Sequence, residues 1–296
     1  MPRYTYPAAA TALVVVLLAF NSPKARADDI APMPSAAEAA PTAPQQPTII
    51  VTADGLPPGT RQVTTSYEGS WNGFATLDIA VAATITPKAY AVVANLTPEG
   101  LTELTSHLRK STTYQARSSG EMTPSGATPV YYFHHGGKRG REVELKFSPK
   151  GVVTKAKPVF GNFGDPPASP AQKREAMDSL TAAITMATAN SDNVCSRTLK
   201  IFDGKARYNL TLTPAGSQKI STPGYKGATL KCHAQYTRVA GYDRPKKNEK
   251  PLVEKPFTIW FAPAPNGLQI PARIKMDSNF GPISVTLQYM EATAVL

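Results

Sequence analysis

The chain has only two cysteines, Cys195 and Cys232, and their thiols could form a disulfide, bind zinc or supply a nucleophile. Zinc sites favour CxxC-type spacing and further ligands, and neither is present. Neighbouring residues on a strand point to opposite faces, so His233 does not easily share a site with Cys232. In an oxidising compartment a disulfide persists, and we therefore predict a structural Cys195–Cys232 bridge, with zinc and a catalytic thiol as the alternatives.

A basic segment follows two adjacent histidines and is typical of a hairpin tip. It contains Lys138, Arg139 and Arg141 directly after His134-His135. These cations could bind phosphates of an anionic envelope glycolipid, with arginine making bidentate contacts, although a solvated turn is the plainer interpretation. A metal or acid–base role for the histidines would need convergent carboxylates, and adjacent strand residues diverge. We expect neither a metal nor a cofactor.

Motifs of the common enzyme classes do not occur in the chain. G-x-S-x-G, S-x-x-K, H-E-x-x-H, the P-loop and G-x-G-x-x-G are all missing. Aromatic residues on predicted strands offer binding chemistry instead, and Trp71, Phe133 and Trp260 are candidates for lining an apolar ligand site. Packing in the core is the alternative for these three side chains.

The first 27 residues predict a secretory signal peptide. Arg3 precedes an apolar run over residues 8–20, and Ala25-Arg26-Ala27 forms an A-x-A cleavage site before Asp28. The run is shorter than the roughly 20 residues that a membrane-spanning helix needs. We therefore predict cleavage, export to the periplasm and no transmembrane segment in the mature chain.

Positive charge narrows the set of partners. Removing Arg3, Lys24 and Arg26 from 32 Lys+Arg leaves 29 against 21 Asp+Glu, a net charge of +8. An exported protein seldom meets nucleic acid, so the expected partners are an envelope lipid, a glycolipid or an envelope protein. The charge could also serve solubility alone.

Composition divides the remaining chain into a linker and one domain. Residues 28–62 are rich in Pro and Ala and predict an extended linker. Residues 63–296 predict a single β-rich domain, with a split near residue 165 as the alternative. Apolar residues alternate within this domain, which favours antiparallel strands with one buried face. The alternation runs over 77–85, 131–133, 143–147, 208–212, 230–236, 257–261, 270–276 and 283–289.

One helix is predicted over about 169–190. Ser169 is a suitable N-cap, Pro170 fits the first turn, and Gln172 completes a capping box. A second short helix over 98–108 is possible, with a strand as the alternative. The predicted fold class is mostly β (α+β): a curved antiparallel sheet or half-barrel of about ten strands folded over one main helix.

Several short motifs resemble the Domain of Unknown Function 3108 family over roughly residues 63–290. They are Tyr67-Glu68-Gly69-Ser70-Trp71-Asn72-Gly73, Met177-Asp178-Ser179-Leu180, Asp203-Gly204-Lys205-Ala206-Arg207-Tyr208, Gly227-Ala228-Thr229-Leu230-Lys231-Cys232 and Phe257-Thr258-Ile259-Trp260-Phe261. The resemblance implies an exported, mostly β envelope protein of Gram-negative bacteria without an established activity.

The functional prediction is an exported, non-enzymatic module that binds an apolar or amphipathic component of the cell envelope. An envelope-assembly scaffold or protein-interaction protein is the alternative. An envelope hydrolase with a site outside the known motifs is the third hypothesis.

Overall fold

The computed structural model describes residues 55–99, 113–136, 140–244, 255–278 and 281–295. Within them the chain forms thirteen strands and two helices. The strands are β1 (Arg61–Trp71), β2 (Phe74–Ile85), β3 (Ala89–Pro98), β4 (Tyr114–Thr123), β5 (Gly126–Gly136), β6 (Arg141–Ser148), β7 (Gly151–Lys157), β8 (Arg197–Phe202), β9 (Arg207–Thr222), β10 (Tyr225–Ala240), β11 (Phe257–Pro263), β12 (Gln269–Ser278) and β13 (Gly281–Ala294). The helices are α1 (Pro170–Arg174) and α2 (Ser179–Ala187).

All thirteen strands belong to one antiparallel sheet. Strands that follow one another in sequence pair, except β7 and β8, and β1 also pairs with β13. The edges of the sheet are therefore β7 and β8, and both helices lie in the chain segment that joins them. The sheet curls, so that residues near its two edges come into contact. A Cβ on Gly204, which follows β8, would lie only 2.5 Å from the Val143 side chain of β6. The predicted fold class is confirmed, with thirteen strands rather than about ten.

Strand direction alternates, so β1, β3, β5 and β7 all finish at the same end of the sheet. We call this the lower end. The tight turn between β1 and β2 lies there, and Asn72 and Gly73 both have positive φ, as an Asn-Gly hairpin turn requires. The chain enters β1 and leaves β13 at the opposite end, where Gly59 N–H donates to the Val295 carbonyl.

One side of the sheet is buried, and the inward positions alternate as the sequence predicts. In β1, for example, Val63, Thr65 and Tyr67 are buried while the residues between them are not. Val63 and Tyr67 belong to a single hydrophobic cluster that extends from β1 through α2 to β13. In β5 the pattern is the reverse of the prediction: Tyr132 is fully buried, and Phe133 lies on the outer face.

The prediction of a single helix over about 169–190 is wrong in one respect, because the structure has two helices there, α1 and α2. Ser169 and Gln172 form the predicted capping box at α1. After α1 ends at Arg174, the Met177 N–H donates to the Lys200 carbonyl and the Met177 carbonyl accepts from the Phe202 N–H. This short parallel bridge covers the edge of β8, and Asp178 starts a new helix after it.

A buried arginine anchors α1 to the sheet. The side chain of Arg207 on β9 donates to the Gln172 carbonyl at 3.2 Å, the Tyr208 carbonyl at 2.6 Å and Asn209 Oδ1 at 2.8 Å. It also lies 3.5 Å from Glu175 Oε1. These contacts satisfy a cation whose burial would otherwise be costly.

The first 54 residues and 100–112 lie outside the described residues, so the signal peptide, most of the linker and the possible helix over 98–108 stay predictions. β1 begins at Arg61, two positions before the expected start of the domain. Within the described ranges, none of the helices has the length and apolar character needed to cross a bilayer.

Candidate functional site

Asp178 is a fully buried residue at the N-terminus of α2. Its Oδ1 accepts hydrogen bonds from the backbone N–H groups of Leu180 at 3.0 Å and Thr181 at 2.9 Å. These N–H groups have no partner within the helix, so Asp178 is the N-cap. The sequence motif Asp-Ser-Leu-Thr thus starts the helix by itself, directly after the bridge to β8.

The second oxygen of Asp178 connects the helix to the sheet. Oδ2 accepts from the Ser118 hydroxyl of β4 at 3.0 Å and from the Thr181 hydroxyl at 2.5 Å. The Tyr90 hydroxyl of β3 lies 2.5 Å from Thr181 Oγ1. We call these four side chains the Asp178 cluster. All four are buried, so every hydrogen bond in the cluster lies away from water.

Burial controls the protonation of the Asp178 cluster. Removal from water raises the pKa of Asp178 to about 6, although the hydrogen bonds from Thr181, Ser118 and Leu180 favour the charged form. Burial, followed by the nearby Asp178 charge, also raises the pKa of the Tyr90 phenol. Tyr90 therefore stays neutral over the whole physiological range.

A second polar group lies on the inner face of β5. The Tyr132 hydroxyl is 3.0 Å from His134 Nδ1 and 3.5 Å from the Ser179 hydroxyl. The Tyr114 ring stacks on His134 with 5.2 Å between centroids. Burial, reinforced by the positive charge of Arg141, lowers the pKa of His134 to about 3, so the imidazole is neutral at pH 7.

These two groups contain residue types that serve acid–base and nucleophilic catalysis. Ser118 and Thr181 are only 3% and 0% exposed, and both hydroxyls already bond to Asp178. A substrate could reach them only if α2 left the sheet. The arrangement therefore fixes α2 against β3, β4 and β5, and we assign it a structural role.

The predicted disulfide is present between Cys195 and Cys232, whose Cα atoms are 5.3 Å apart. It joins the turn after α2 to β10, and both cysteines are buried. The bridge closes a loop that contains β8, β9 and the first half of β10. It therefore ties the helical segment to the C-terminal half of the sheet.

The structure does not bring the three predicted aromatic site residues together. Trp71 lies at the lower end of β1 and is 40% exposed. Phe133 is half-buried on the outer face of β5, under the guanidinium of Arg117 at 4.9 Å. Trp260 is buried on β11, where its Nε1–H donates to Gln218 Oε1 at 2.9 Å. A common ligand site lined by all three is therefore not formed.

Of the predicted anion-binding residues, only Arg141 lies within the described residues. Its guanidinium carbon is 4.5 Å from the centroid of the Phe160 ring. Lys138 and Arg139 fall outside the described ranges, as do Ala25, Ala27 and Asp28 of the predicted cleavage site. Their roles stay predictions.

Exposed hydrophobic side chains mark the lower end of the sheet. Trp71 and Phe74 flank the turn between β1 and β2, and Phe74 is 59% exposed. Val159 and Phe163 follow β7 at the same end and are 71% and 47% exposed. We call these three aromatic residues and Val159 together the aromatic rim. Val159 and Phe163 were not predicted from the sequence, because they belong to a loop rather than to an alternating strand.

A cleft of about 210 Å³ lies on the outer face, where β13, β1 and β2 run side by side. Its lining includes Gln62, Thr64, Thr84 and Glu291. This volume is below the range of about 300–1,000 Å³ that is usual for small-molecule sites. Among the described residues, no group of three or more His, Cys, Asp and Glu side chains could hold a metal ion.

Residues 64–288 match the protein family of unknown function DUF3108. The chain belongs to this family. The resemblance predicted from the short motifs is thus confirmed, and DUF3108 membership extends from β1 into β13. No curated protein matches the chain.

Three solved structures are similar in fold to this DUF3108 chain. A β-barrel-like protein of the domain of unknown function DUF1849 from Brucella abortus is 11% identical, with a TM-score of 0.40, over 79% of this chain and 98% of that one. A candidate lipoprotein from Parabacteroides distasonis is 13% identical (TM-score 0.31), and a candidate exported protein with a YmcC-like fold from Bacteroides fragilis is 12% identical (TM-score 0.29). Each of these two covers 79% of this chain and 96% of its own.

Proposed function

We propose that this DUF3108 protein is an exported, non-enzymatic module of the periplasm that binds an amphipathic component of the cell envelope. The component is an anionic lipid surface, and the aromatic rim at the lower end of the sheet contacts it. The observation that carries the proposal is the exposure of Trp71, Phe74, Val159 and Phe163 at one end of the molecule. The predicted signal peptide supports the location.

Contact with a lipid surface would remove this apolar area from water. Phe74 is 59% and Trp71 40% exposed, so each shows roughly 100 Å² to solvent, given the 150–250 Å² that an aromatic side chain can bury. Complete burial of both would contribute up to about 5 kcal/mol at 25 cal/mol/Å². Aromatic side chains also suit the interface between headgroups and acyl chains.

Charge also favours an anionic surface. Three sequence segments, 100–112, 137–139 and 245–254, contain more basic than acidic residues and follow β3, β5 and β10, whose last residues lie at the lower end. The basic residues are Arg109, Lys110, Lys138, Arg139, Lys246, Lys247 and Lys250, and the acidic ones are Glu103, Glu249 and Glu254. A chain that combines basic segments with exposed aromatic residues has the two features by which proteins associate with anionic membranes.

The interior offers less support for binding. The inward side chains of the described strands pack with α2 into one cluster, in which Tyr132, Leu145 and Phe261 are completely buried. The polar side chains of the Asp178 cluster bond to one another within this interior. The rim therefore supports a binding module better than it supports a carrier with an internal ligand or a hydrolase.

Vesicle flotation tests the proposal with protein purified from the periplasm of an expressing bacterium. We expect the protein to float with phosphatidylcholine vesicles that contain phosphatidylglycerol, and to float less without this anionic lipid or at high salt. Replacing both Trp71 and Phe74 by Ser should weaken binding by roughly 50-fold or more, even if only half of the apolar area is buried. Tyr289→Ser is the matched control, because Tyr289 is 46% exposed on β13 away from the rim.

Fluorescence gives a second readout. In a Trp260→Phe variant Trp71 is the remaining tryptophan, so its emission should shift to the blue when anionic vesicles are added. Equal flotation of the rim variant and the Tyr289 control would contradict the proposal. Reproducible crosslinking of one envelope protein, without vesicle binding, would instead favour the scaffold alternative.

A further inference from the structure

The outer face of β4–β7 carries a stacked arginine that lies on a different surface from the aromatic rim. The guanidinium carbon of Arg117 is 4.9 Å from the centroid of Phe133 and 5.8 Å from that of Tyr131. Two aromatic faces restrict the position of the planar cation while its N–H edges stay open. Arg117 is exposed, so these donors face solvent.

Strand register defines the neighbours of Arg117. Phe133 pairs with Arg117 on one side and with Glu144 on the other, and Glu144 pairs with Lys155. In the next row on the same face, Tyr131 pairs with Lys146. We call this surface the Arg117 platform. It consists of Arg117, Tyr131, Phe133, Glu144, Lys146 and Lys155.

The charges on the Arg117 platform are unequal. Its acidic residue, Glu144, makes an ion pair with Lys146 at 3.1 Å. Glu144 also lies two strands from Arg117, which corresponds to about 10 Å. In the described part of the chain, no carboxylate lies within ion-pair distance of Arg117. The platform therefore holds a preorganised, bidentate donor in an excess of positive charge.

We propose that the Arg117 platform binds a phosphate monoester carried by a component of the cell envelope. The planar guanidinium donates two parallel hydrogen bonds to the phosphate oxygens, which is the geometry that arginine supplies and lysine does not. The phosphate monoester can belong to a saccharide or to a phosphatidate headgroup, and the two sources share this chemistry.

Nuclear magnetic resonance of the arginine Nε–Hε groups tests the proposal in protein purified from the periplasm. The probes are glucose 1-phosphate and glycerol 3-phosphate, with glucose as the neutral control. We expect both phosphates to shift the Arg117 signal, and we expect the shift to reach a plateau as phosphate is added. The Arg117 signal is identified as the one that disappears in Arg117→Lys. Tighter binding of one phosphate identifies its source, and equal binding indicates recognition of the phosphate alone.

Variants separate specific recognition from general attraction, with binding followed by the backbone amide signals of β4 and β5. Arg117→Lys keeps the charge but loses the planar guanidinium that donates two parallel hydrogen bonds, and should weaken binding at least 5-fold. Phe133→Leu should weaken it in the same direction, because the stacking surface is lost. Lys150→Gln removes a charge from the turn between β6 and β7 and should leave binding unchanged. Shifts that never saturate, shifts of equal size at Arg244, or an equal loss in Lys150→Gln would overturn the proposal.

Discussion

Replacing Asp178 by Asn removes one titrating group from the interior and keeps an oxygen that can accept from the first turn of α2. The pKa of Asp178 is raised by burial to about 6, against an ordinary value of 3.8. A raised pKa means that the native state binds the proton more tightly than the unfolded chain does. This contribution to stability is complete below pH 3.8 and is lost as the pH rises through about 6.

The interval between 3.8 and about 6 corresponds to about 3 kcal/mol in the free energy of unfolding. Other carboxyl groups titrate in the same range; the pKa of Glu175, for example, is lowered, chiefly by its hydrogen bond from Lys200. The useful quantity is therefore the difference in stability between the wild type and Asp178→Asn. Between about pH 4 and pH 7 this difference should move by about 3 kcal/mol in favour of the variant.

Urea denaturation followed by circular dichroism at a series of pH values measures the difference. Retained helix and sheet signals would show that the Asn variant keeps the fold and the cap. A difference that stays constant from pH 4 to pH 7 would refute the reasoning, because Asp178 would then have the same pKa in the folded and unfolded chains.

Three further substitutions test other parts of the structure. Replacing Cys195 and Cys232 together by Ala should lower the free energy of unfolding by about 4 kcal/mol in the chain-entropy model, measurable by urea denaturation, whereas no change would show that the bridge adds no stability. Gly241→Ala should cost about 2–3 kcal/mol, since Gly241 has a φ of 85° and its new Cβ would meet the Lys205 carbonyl oxygen at 2.0 Å; an unchanged melting temperature would contradict this packing. Ser118→Ala should cost about 1–2 kcal/mol at pH 7 and less at pH 4, where Asp178 needs fewer donors; an equal loss at both pH values would count against the hydrogen bond.

Strands with large inward side chains were predictable from the sequence, and the others were not. β11 has Phe257, Ile259 and Phe261 at every second position, and in β12 apolar residues from Ile270 to Met276 alternate with residues that are mostly polar, so the period of two is visible directly. β4 is different, because its inward positions hold Ala116 and Ser118, which are too small or too polar to give an apolar pattern. Its place in the sheet depends on pairing with β3 and β5, which a local pattern does not contain.

The same limit applies to the polar interior and to the candidate sites. The motif around Asp178 was compatible with the middle of one helix, and only the bridge of Met177 to β8 makes Asp178 an N-cap. Phe133 was grouped with the buried face because it is large and apolar. The bulge between β4 and β5 at Ser119 and Gly120 accompanies the outward placement of Phe133, and a bulge has no clear sequence signal.

The pairing of β1 with β13 has a consequence for how the chain reaches this fold. A ribosome releases the N-terminus first, so β1 is available long before its last partner is made. Until then both edge strands of the early sheet have unpaired backbone N–H and C=O groups, with which strands of other molecules can pair. Pairing of β1 with β13 is a late event that joins strands far apart in the sequence, and we expect slow folding and a need for protection by a chaperone on the way.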